Sequence, residues 1–213
     1  MTRANVMAGV LALLAGCAIA AETKEAPKKE PKEEPVPNIG TLSDWERTSN
    51  LAEIRDGMFY LDALRAKEPI SVFRRDKSFI DADLKVQFRV DAVGTGERAV
   101  GLIFGSTDGG TYHCLHIGRR DISLCRVSPD GGRVVLDRRG GFTKPEGAWY
   151  DARVECRGDL IRVFFGNRFL FAFKSPDLQP GNEGVYASEG RAWVRRMDFT
   201  GKPVRLRKAW KLQ

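Results

Sequence analysis

The amino-acid sequence predicts an all-β sandwich for residues 39–201. Between Leu84 and Val90 apolar residues alternate with polar ones, which is the pattern of a half-buried strand. Glycine-rich turn signals such as Asp130-Gly131-Gly132 separate short apolar runs at regular spacing. No run of comparable length in this region has the period of a helix. Many short strands joined by glycine-rich turns are typical of a sandwich or a barrel.

The predicted strands follow one another through the middle of the chain. Their bounds are 84–90, 100–104, 112–117, 122–127, 133–136, 153–157, 160–165 and 169–173. Turn signals stand at Asp56-Gly57, Asp108-Gly109-Gly110, Asp130-Gly131-Gly132 and Arg139-Gly140-Gly141. Aspartate and glycine adopt the backbone angles that tight hairpins require, so these positions predict reversals of the chain.

The hairpin that joins strands 112–117 and 122–127 contains a candidate disulfide. A two-residue loop at Arg119-Arg120 places Cys114 directly opposite Cys125. Export to an oxidising compartment would allow the two sulfurs to join, and we therefore predict a Cys114–Cys125 bridge. The bridge closes a short loop and would stabilise the fold by about 2 kcal/mol or less.

Two further hairpins predict a core face rich in phenylalanine. A turn at Gly158-Asp159 pairs Cys156 with Ile161, which makes Cys156 a buried thiol without a partner. A three-residue turn, Gly166-Asn167-Arg168, places one aromatic set on that same face: Phe165, Phe169, Phe171 and Phe173. Trp45 and Trp149 are expected to close the core, whereas Trp193 is equally compatible with the core and the surface.

Residues 1–21 have the organisation of an export signal. Arg3 precedes an apolar run at 6–16, which is too short to span a bilayer and long enough for the hydrophobic region of a signal peptide. Two cleavage sites compete. Leu14-Ala15-Gly16-Cys17 resembles a bacterial lipobox, in which the cysteine becomes lipid-modified, whereas Ala18-Ile19-Ala20 has the form of an ordinary signal-peptidase site. We favour lipidation at Cys17 and a cell-envelope location; by resemblance to lipoprotein sorting, the residue after this cysteine favours the outer membrane.

Charge is concentrated at the two ends of the chain. Residues 22–38 hold four Lys and five Glu among prolines, and a segment with so little to bury predicts an extended linker. Residues 202–213 form a basic tail with five positive charges, which either lies on an anionic surface or frays. The net charge is +7, but residues 39–201 carry 25 basic against 23 acidic residues. This mixed surface argues against nucleic acid as a partner.

Several segments stand in an order that is familiar from one protein family. They are Trp45, 54–61, 79–90, 101–104, 147–150, Gly158, Gly166-Asn167, 184–186 and 194–199. Over about residues 41–200 this series resembles the 3-keto-disaccharide hydrolase-like domain, a member of the concanavalin A/laminin-G-like superfamily that is common in exported bacterial proteins. The resemblance implies a two-sheet jelly-roll sandwich and a carbohydrate-related role, either sugar binding or glycoside cleavage.

Strand parity predicts a polar set that points away from the core: Gln87, Arg89, Tyr112, His116, Glu155 and Arg162. Planar hydrogen-bonding groups beside an aromatic ring suit the hydroxyls and the C–H face of a sugar. In the resembled fold group a concave sheet is the usual ligand platform. We therefore predict that these residues bind a carbohydrate or glycoconjugate. The alternative is cross-strand pairing on a solvated face, which Glu155 and Arg162 fit well.

Catalytic residues are not identifiable from the sequence. Glycoside cleavage generally uses two carboxylates, and Asp81 and Asp83 share a strand face but lie beside turn residues. Two His and four Cys make neither a zinc ribbon nor a Ser-His-Asp triad plausible. We expect no metal and no cofactor, with calcium on loop oxygens as an alternative. The leading hypothesis is an envelope-anchored carbohydrate-binding module; the alternatives are a 3-keto-disaccharide-type hydrolase or lyase and a protein-interaction module.

Overall fold

The computed structural model describes residues 38–93, 96–106, 111–142, 144 and 146–204. The predicted signal peptide, Cys17 lipidation, most of the linker, the turn at 108–110 and the tail beyond Val204 lie outside these residues. Within them, the helical structure is a single short 3-10 helix, Leu42–Asp44. No helix in the described part of the chain is long and apolar enough to cross a membrane.

Thirteen strands account for most of the described residues. They are β1 (Trp45–Arg47), β2 (Ala52–Arg55), β3 (Met58–Asp62), β4 (Ile70–Val90), β5 (Ala99–Ser106), β6 (Tyr112–Ile117), β7 (Asp121–Val127), β8 (Arg133–Gly140), β9 (Trp149–Arg157), β10 (Leu160–Phe165), β11 (Arg168–Lys174), β12 (Gly181–Ser188) and β13 (Arg191–Val204).

One long strand, β4, belongs to both layers of the sandwich. Its first half lies in sheet I, which has the antiparallel order β1-β4-β12-β5-β6-β7-β8. Its second half lies in sheet II, which has the antiparallel order β11-β10-β9-β4-β13-β3-β2. The two sheets enclose the main core between them, and the predicted all-β, two-sheet sandwich is therefore confirmed.

The change of sheet occurs between Phe79, the last β4 residue paired with β12, and Asp83, the first paired with β9. Asp81 lies in this crossover with a φ of 54°, a left-handed conformation that aspartate tolerates better than most residues. Its carboxylate accepts hydrogen bonds from Gly158 N at 2.9 Å and from Lys202 Nζ at 2.8 Å. Asp81 therefore ties the crossover to the β9–β10 turn and to β13.

The core is built from the alternating apolar residues that the sequence pattern indicates. Trp45 is buried as predicted, packs edge-on against Phe59 at 5.0 Å and donates its indole N–H to Ile39 O at 2.9 Å. Other large side chains that are fully buried include Leu61, Leu84, Phe88, Leu102, Phe104, Leu115, Ile117 and Ile122. Full burial contributes about 1.5–3 kcal/mol for each such side chain.

Two of the three predicted hairpin registers are confirmed. Cys114 lies opposite Cys125, and Cys156 lies opposite Ile161 as a buried thiol. The third register is wrong, because the β10–β11 turn contains two residues rather than three and a bulge follows it. The two-residue turn places Phe169 opposite Phe164 on the outer face, where Phe169 is 52% exposed, and the bulge after it returns Phe171 to the side of Val163. Phe171 is buried in the core as expected.

A second, smaller apolar layer covers the outer face of sheet I, and it depends on a glycine. The layer consists of Phe73, Ile103, Cys114, Cys125, Val127 and Tyr186, with Tyr112 packed against it. The ring of Tyr186 lies over Gly101 on the neighbouring strand β5. A side chain on Gly101 would occupy the space that this ring fills.

We expect Gly101→Ala to destabilise the fold by about 1–3 kcal/mol through overpacking. The added Cβ would stand 2.3 Å from a Tyr186 ring carbon and 2.4 Å from Leu115 O. Chemical denaturation measures the change. Gly140→Ala, on the edge strand β8 with nothing within 4 Å of the new carbon, should change stability by about 0.5 kcal/mol or less. Equal losses in the two variants would contradict the packing argument.

Candidate functional site

The structure divides the predicted sugar-binding residues between the two sides of the sandwich. Those on the outer face of sheet II are Gln87, Arg89, Glu155 and Arg162. Those on sheet I are Tyr112 and His116. The expectation of a single platform is therefore wrong. Strand parity tells which side chains avoid the core, but not which of the two sheets a strand joins.

Aromatic rings and guanidinium groups assemble on the outer face of sheet II into an arrangement that we call the aromatic–arginine patch. Its members are Tyr60, Arg89, Trp149, Trp193 and Arg195. Strand register brings them together, because Trp193 pairs with Tyr60 on one side and with Arg89 on the other, and Arg89 pairs with Trp149. Trp149 is half-buried here rather than closing the core as predicted; its neighbour Tyr150 takes the core side and stacks on Phe165 at 5.5 Å.

Cation–π contacts hold the aromatic–arginine patch together. The Arg89 guanidinium carbon lies 5.2 Å from the ring centroids of both Trp149 and Trp193. The Arg195 guanidinium lies 4.2 Å from the Trp149 ring, and Tyr60 lies 4.8 Å from Trp193. Such contacts contribute about 0.5–2 kcal/mol each and fix long side chains that would otherwise be mobile. The patch is therefore a preorganised surface.

Hydrogen-bonding groups border the patch. Gln87 accepts from Arg195 Nε at 2.5 Å and donates to Asp151 Oδ1 at 3.0 Å. The indole N–H of Trp193 donates to Asp91 Oδ2 at 3.1 Å. Arg89 Nε is 3.5 Å from Asp91 Oδ1 and makes no hydrogen bond within the described residues. Apolar ring surface thus lies beside amide, carboxylate and guanidinium groups.

A second group on the same face is a network of ion pairs. Arg153 donates to both carboxylate oxygens of Asp83, at 2.8 and 2.6 Å, and also pairs with Glu155. Arg162 lies 3.8 Å from Glu155, as the cross-strand alternative predicts. The hydrogen bonds from Arg153 lower the pKa of Asp83. These side chains satisfy one another, and a carboxylate held in this way is a poor proton donor at neutral pH.

The predicted residues of sheet I are covered or engaged within the protein. His116 is 3% exposed, with Nδ1 2.6 Å from the Tyr186 hydroxyl and Nε2 3.1 Å from Glu97 Oε1. Burial lowers its pKa, so the ring is held neutral. Burial also raises the pKa of Tyr112 to about 12. We conclude that this face is a packed network rather than an open platform.

The predicted disulfide partners face one another as separate thiols. Cys114 and Cys125 are both buried, and Arg133 Nε donates to Cys125 Sγ at 3.2 Å. The hydrogen bond with Cys114, aided by Arg133 and Ser123, lowers the pKa of Cys125 to about 5, while the pKa of Cys114 rises. Opposed Cβ atoms in a ladder are about 4.5–5.5 Å apart, whereas a disulfide prefers about 3.5–4.5 Å. The bridge stays a prediction that this structure does not contain.

One buried carboxyl group was missed by the sequence reasoning. Glu183 on β12 is 1% exposed, and its Oε2 has no hydrogen-bond partner in the described residues. Burial raises its pKa to about 9, against the opposing effect of the backbone N–H groups of Phe79 and Glu183 itself. Burial and, to a smaller extent, the Glu183 charge raise the pKa of Cys156, which together with Phe79 lines an open pocket at the crossover end of the sandwich. No sequence signal marks this residue, because its burial depends on strands that are distant in the chain.

No group of three or more His, Cys, Asp or Glu side chains in the described ranges is arranged to hold a metal ion.

Comparisons with known proteins identify the fold. No protein-family model matches the chain. No curated protein matches it in sequence. Carbohydrate-binding module CBM66 from Bacillus subtilis is similar with a TM-score of 0.65 at 12% identity, over 74% of this chain and 96% of the module. A Bacillus subtilis protein of unknown function with a galectin-like fold gives a TM-score of 0.61 at 11% identity, over 81% and 95%. The Crh5 transglycosylase in complex with NAG gives 0.58 at 7% identity, over 77% and 81%.

Identities this low concern the fold alone. The chain is a galectin-like or concanavalin A-like β-sandwich, and the jelly-roll fold class that the sequence predicts is confirmed.

The buried carboxyl of Glu183 should make stability fall as pH rises. Its pKa of about 9 exceeds the reference value of 4.5, so the folded state retains a proton that the unfolded chain loses. The free energy of unfolding should decrease between about pH 4.5 and 9. The Gln side chain of Glu183→Gln is neutral at every pH. The free energy of unfolding of this variant should therefore lack the Glu183 part of the fall with pH, and the variant should be more stable than the parent at pH 8. Urea unfolding across this range is the measurement. Glu53→Gln, at an exposed ion pair, is the control, and parallel pH profiles for parent and Glu183→Gln would disprove the assignment.

Proposed function

We propose that the protein binds a carbohydrate or glycoconjugate through the aromatic–arginine patch on sheet II. The observation that carries the proposal is the alternation of Trp149, Arg89 and Trp193 at about 5 Å, bordered by Gln87 and Asp151. Sandwiches of the same fold include a module named for carbohydrate binding. That likeness supports the class of ligand, and the chemistry of the patch supports this location for the site.

The chemistry of the patch suits a sugar. The partly exposed indole rings of Trp149 and Trp193 can pack against the C–H face of a pyranose, while guanidinium and amide groups donate in a plane to pairs of hydroxyls. The side chains are already fixed by one another, so binding costs little additional conformational entropy. Among the described residues, the two other polar groups each lack one of these features. The ion-pair network has no indole ring beside it, and the sheet I face is covered.

Replacing Trp193 with Ala should weaken glycan binding roughly tenfold or more, because it removes ring surface and one of the two indoles against which Arg89 packs. A glycan array identifies the probe, and calorimetry with that glycan gives the affinity. Phe169→Ala is the matched control, since it truncates an exposed ring on the same sheet face outside the patch. Binding that survives Trp193→Ala and is lost in Phe169→Ala would place the site elsewhere.

A second candidate function is glycoside cleavage of the 3-keto-disaccharide type, as either a hydrolase or a lyase. The observation that favours it is Glu183, because a carboxyl group that stays protonated at neutral pH can donate a proton to a leaving glycosidic oxygen. Asp81 lines the neighbouring pocket, although Gly158 and Lys202 occupy its oxygens. Turnover of a 3-keto-glycoside that Glu183→Gln abolishes and Trp193→Ala retains would favour the enzyme over the binding module.

We propose further that the protein is exported and anchored to the cell envelope by lipid on Cys17. The support is the Leu14-Ala15-Gly16-Cys17 sequence, followed by residues 22–38, whose Lys, Glu and Pro composition predicts an extended linker that would hold the sandwich away from its anchor. Acyl chains contribute roughly 0.8 kcal/mol per buried methylene, so several of them bind the bilayer without a spanning helix.

Cys17→Ser should move the protein from the membrane fraction to the soluble envelope fraction. Without the acyl acceptor, the chain can still be cut at the ordinary site Ala18-Ile19-Ala20, which removes the apolar run at 6–16 and leaves the linker with nothing apolar to insert. Immunoblotting of fractionated cells, with intact mass of the extracted protein, measures both location and lipid. Cys156→Ser should fractionate like the parent, because that thiol lies in the core. A parent protein that is already soluble and begins near Ala21 would refute the anchor.

A further inference from the structure

We propose that Cys114 and Cys125 form a two-coordinate site for a soft monovalent metal ion, with Cu(I) as the biological member of that class. This inference goes beyond carbohydrate binding and uses the opposite face of the sandwich. It starts from an unusual placement: two cysteines lie directly opposite each other on β6 and β7, and a guanidinium group donates to one of them.

The spacing of the pair favours a metal bridge over a direct sulfur–sulfur bond. Directly opposed residues of an antiparallel ladder hold their Cβ atoms about 4.5–5.5 Å apart. A disulfide draws them to about 3.5–4.5 Å, which requires the ladder to distort. Two metal–thiolate bonds of about 2.3 Å each, placed in line, separate the sulfurs by roughly twice that length and fit the undistorted ladder.

The charges around the pair also balance for a monovalent ion. Two thiolates and one Cu(I) carry a net charge of −1, which the Arg133 guanidinium, 3.2 Å from Cys125 Sγ, compensates. A divalent ion on the same ligands would leave an excess positive charge beside Arg133 in an apolar layer, which is costly. Binding releases the protons that the thiols carry and transfers no electron, so the reaction needs no oxidant or reductant.

The surroundings favour a coordination number of two. The pair lies among Phe73, Ile103, Val127 and Tyr186, which offer no carboxylate, and Ser123 Oγ, 3.6 Å from Cys125 Sγ, is a hard neutral donor that a soft ion does not prefer. The nearby imidazole of His116 already hydrogen-bonds Tyr186 and Glu97 through its two nitrogens. Zinc prefers four ligands in a tetrahedron, whereas soft thiolates select Cu(I), so the site discriminates by geometry.

Arg133 also provides a route to the site. It begins the edge strand β8 and is exposed, yet its Nε reaches the sulfur of Cys125. Rotation of this single side chain would expose the two sulfurs to a metal ion without breaking the hydrogen bonds between β6 and β7.

The test uses the full chain with Cys17→Ser and Cys156→Ser, which leaves the pair as the remaining thiols among the four cysteines. The reduced, anaerobic protein is titrated with Cu(I) in competition with bicinchoninate. We expect one Cu(I) per chain, and copper X-ray absorption should show two sulfur ligands. Cys114→Ala and Cys125→Ala should each abolish this uptake. Arg133→Leu, which keeps both sulfurs and adds no metal ligand, should retain the stoichiometry and weaken binding roughly 10- to 100-fold.

Several results would overturn the proposal. One is a parent that leaves all of the copper with bicinchoninate; another is copper uptake that both cysteine variants retain while circular dichroism matches the parent. Zinc bound as tightly as Cu(I), or nitrogen and oxygen in the copper absorption spectrum, would contradict two-coordinate selection. Isolation of the parent from its native compartment with a Cys114–Cys125 disulfide would assign the pair to a structural bridge instead.

Discussion

The architecture depends on one strand that serves both sheets. The 21 residues of β4 begin in sheet I and end in sheet II, so the bend at Asp81 fixes how the layers face each other. A left-handed backbone at this point is stable because the carboxylate accepts hydrogen bonds from Gly158, in the turn that follows β9, and from Lys202 of β13. The aromatic–arginine patch assembles around Arg89, on the second half of β4, and on the strands paired with that half, so its placement depends on the crossover.

The outer faces of the two sheets differ in accessibility because different side chains cover their strands. On sheet II, rings and guanidinium groups stack on one another and remain partly open, as a ligand surface must. On sheet I, Tyr186 lies across Gly101 and the imidazole of His116 is enclosed, so polar groups that would suit a sugar are used to hold a packed layer. The cysteine pair lies in that layer, where the exclusion of water favours a soft metal ion over a hard one.

The sequence was sufficient for features that arise from neighbouring residues. Alternation and short apolar runs identified the second half of β4 and the strands β5 to β11, and short turns set the Cys114–Cys125 and Cys156–Ile161 registers, because a hairpin register depends mainly on its loop. The exposure of Phe169 was missed for a local reason, since the β10–β11 turn has two residues rather than three. The outward placement of Trp149 and the burial of Glu183 were missed because they depend on strands brought together only by the complete fold. The same reason separates Gln87 and Arg89 from His116, although all of them avoid the main core.

The shared strand also sets the order in which the chain can become compact. Ser78 pairs with Asn182 of β12 on one edge of β4 and with Val204 of β13 on the other. Strand β12 therefore completes one edge of the first half of β4, and β13 completes the opposite edge of the second half. Until residues beyond 181 have left the ribosome, each half of β4 has an unpaired hydrogen-bonding edge. Such edges recruit other chains, and contacts this distant in sequence form slowly. A chain that lacks β12 and β13 therefore keeps exposed strand edges through which it can aggregate.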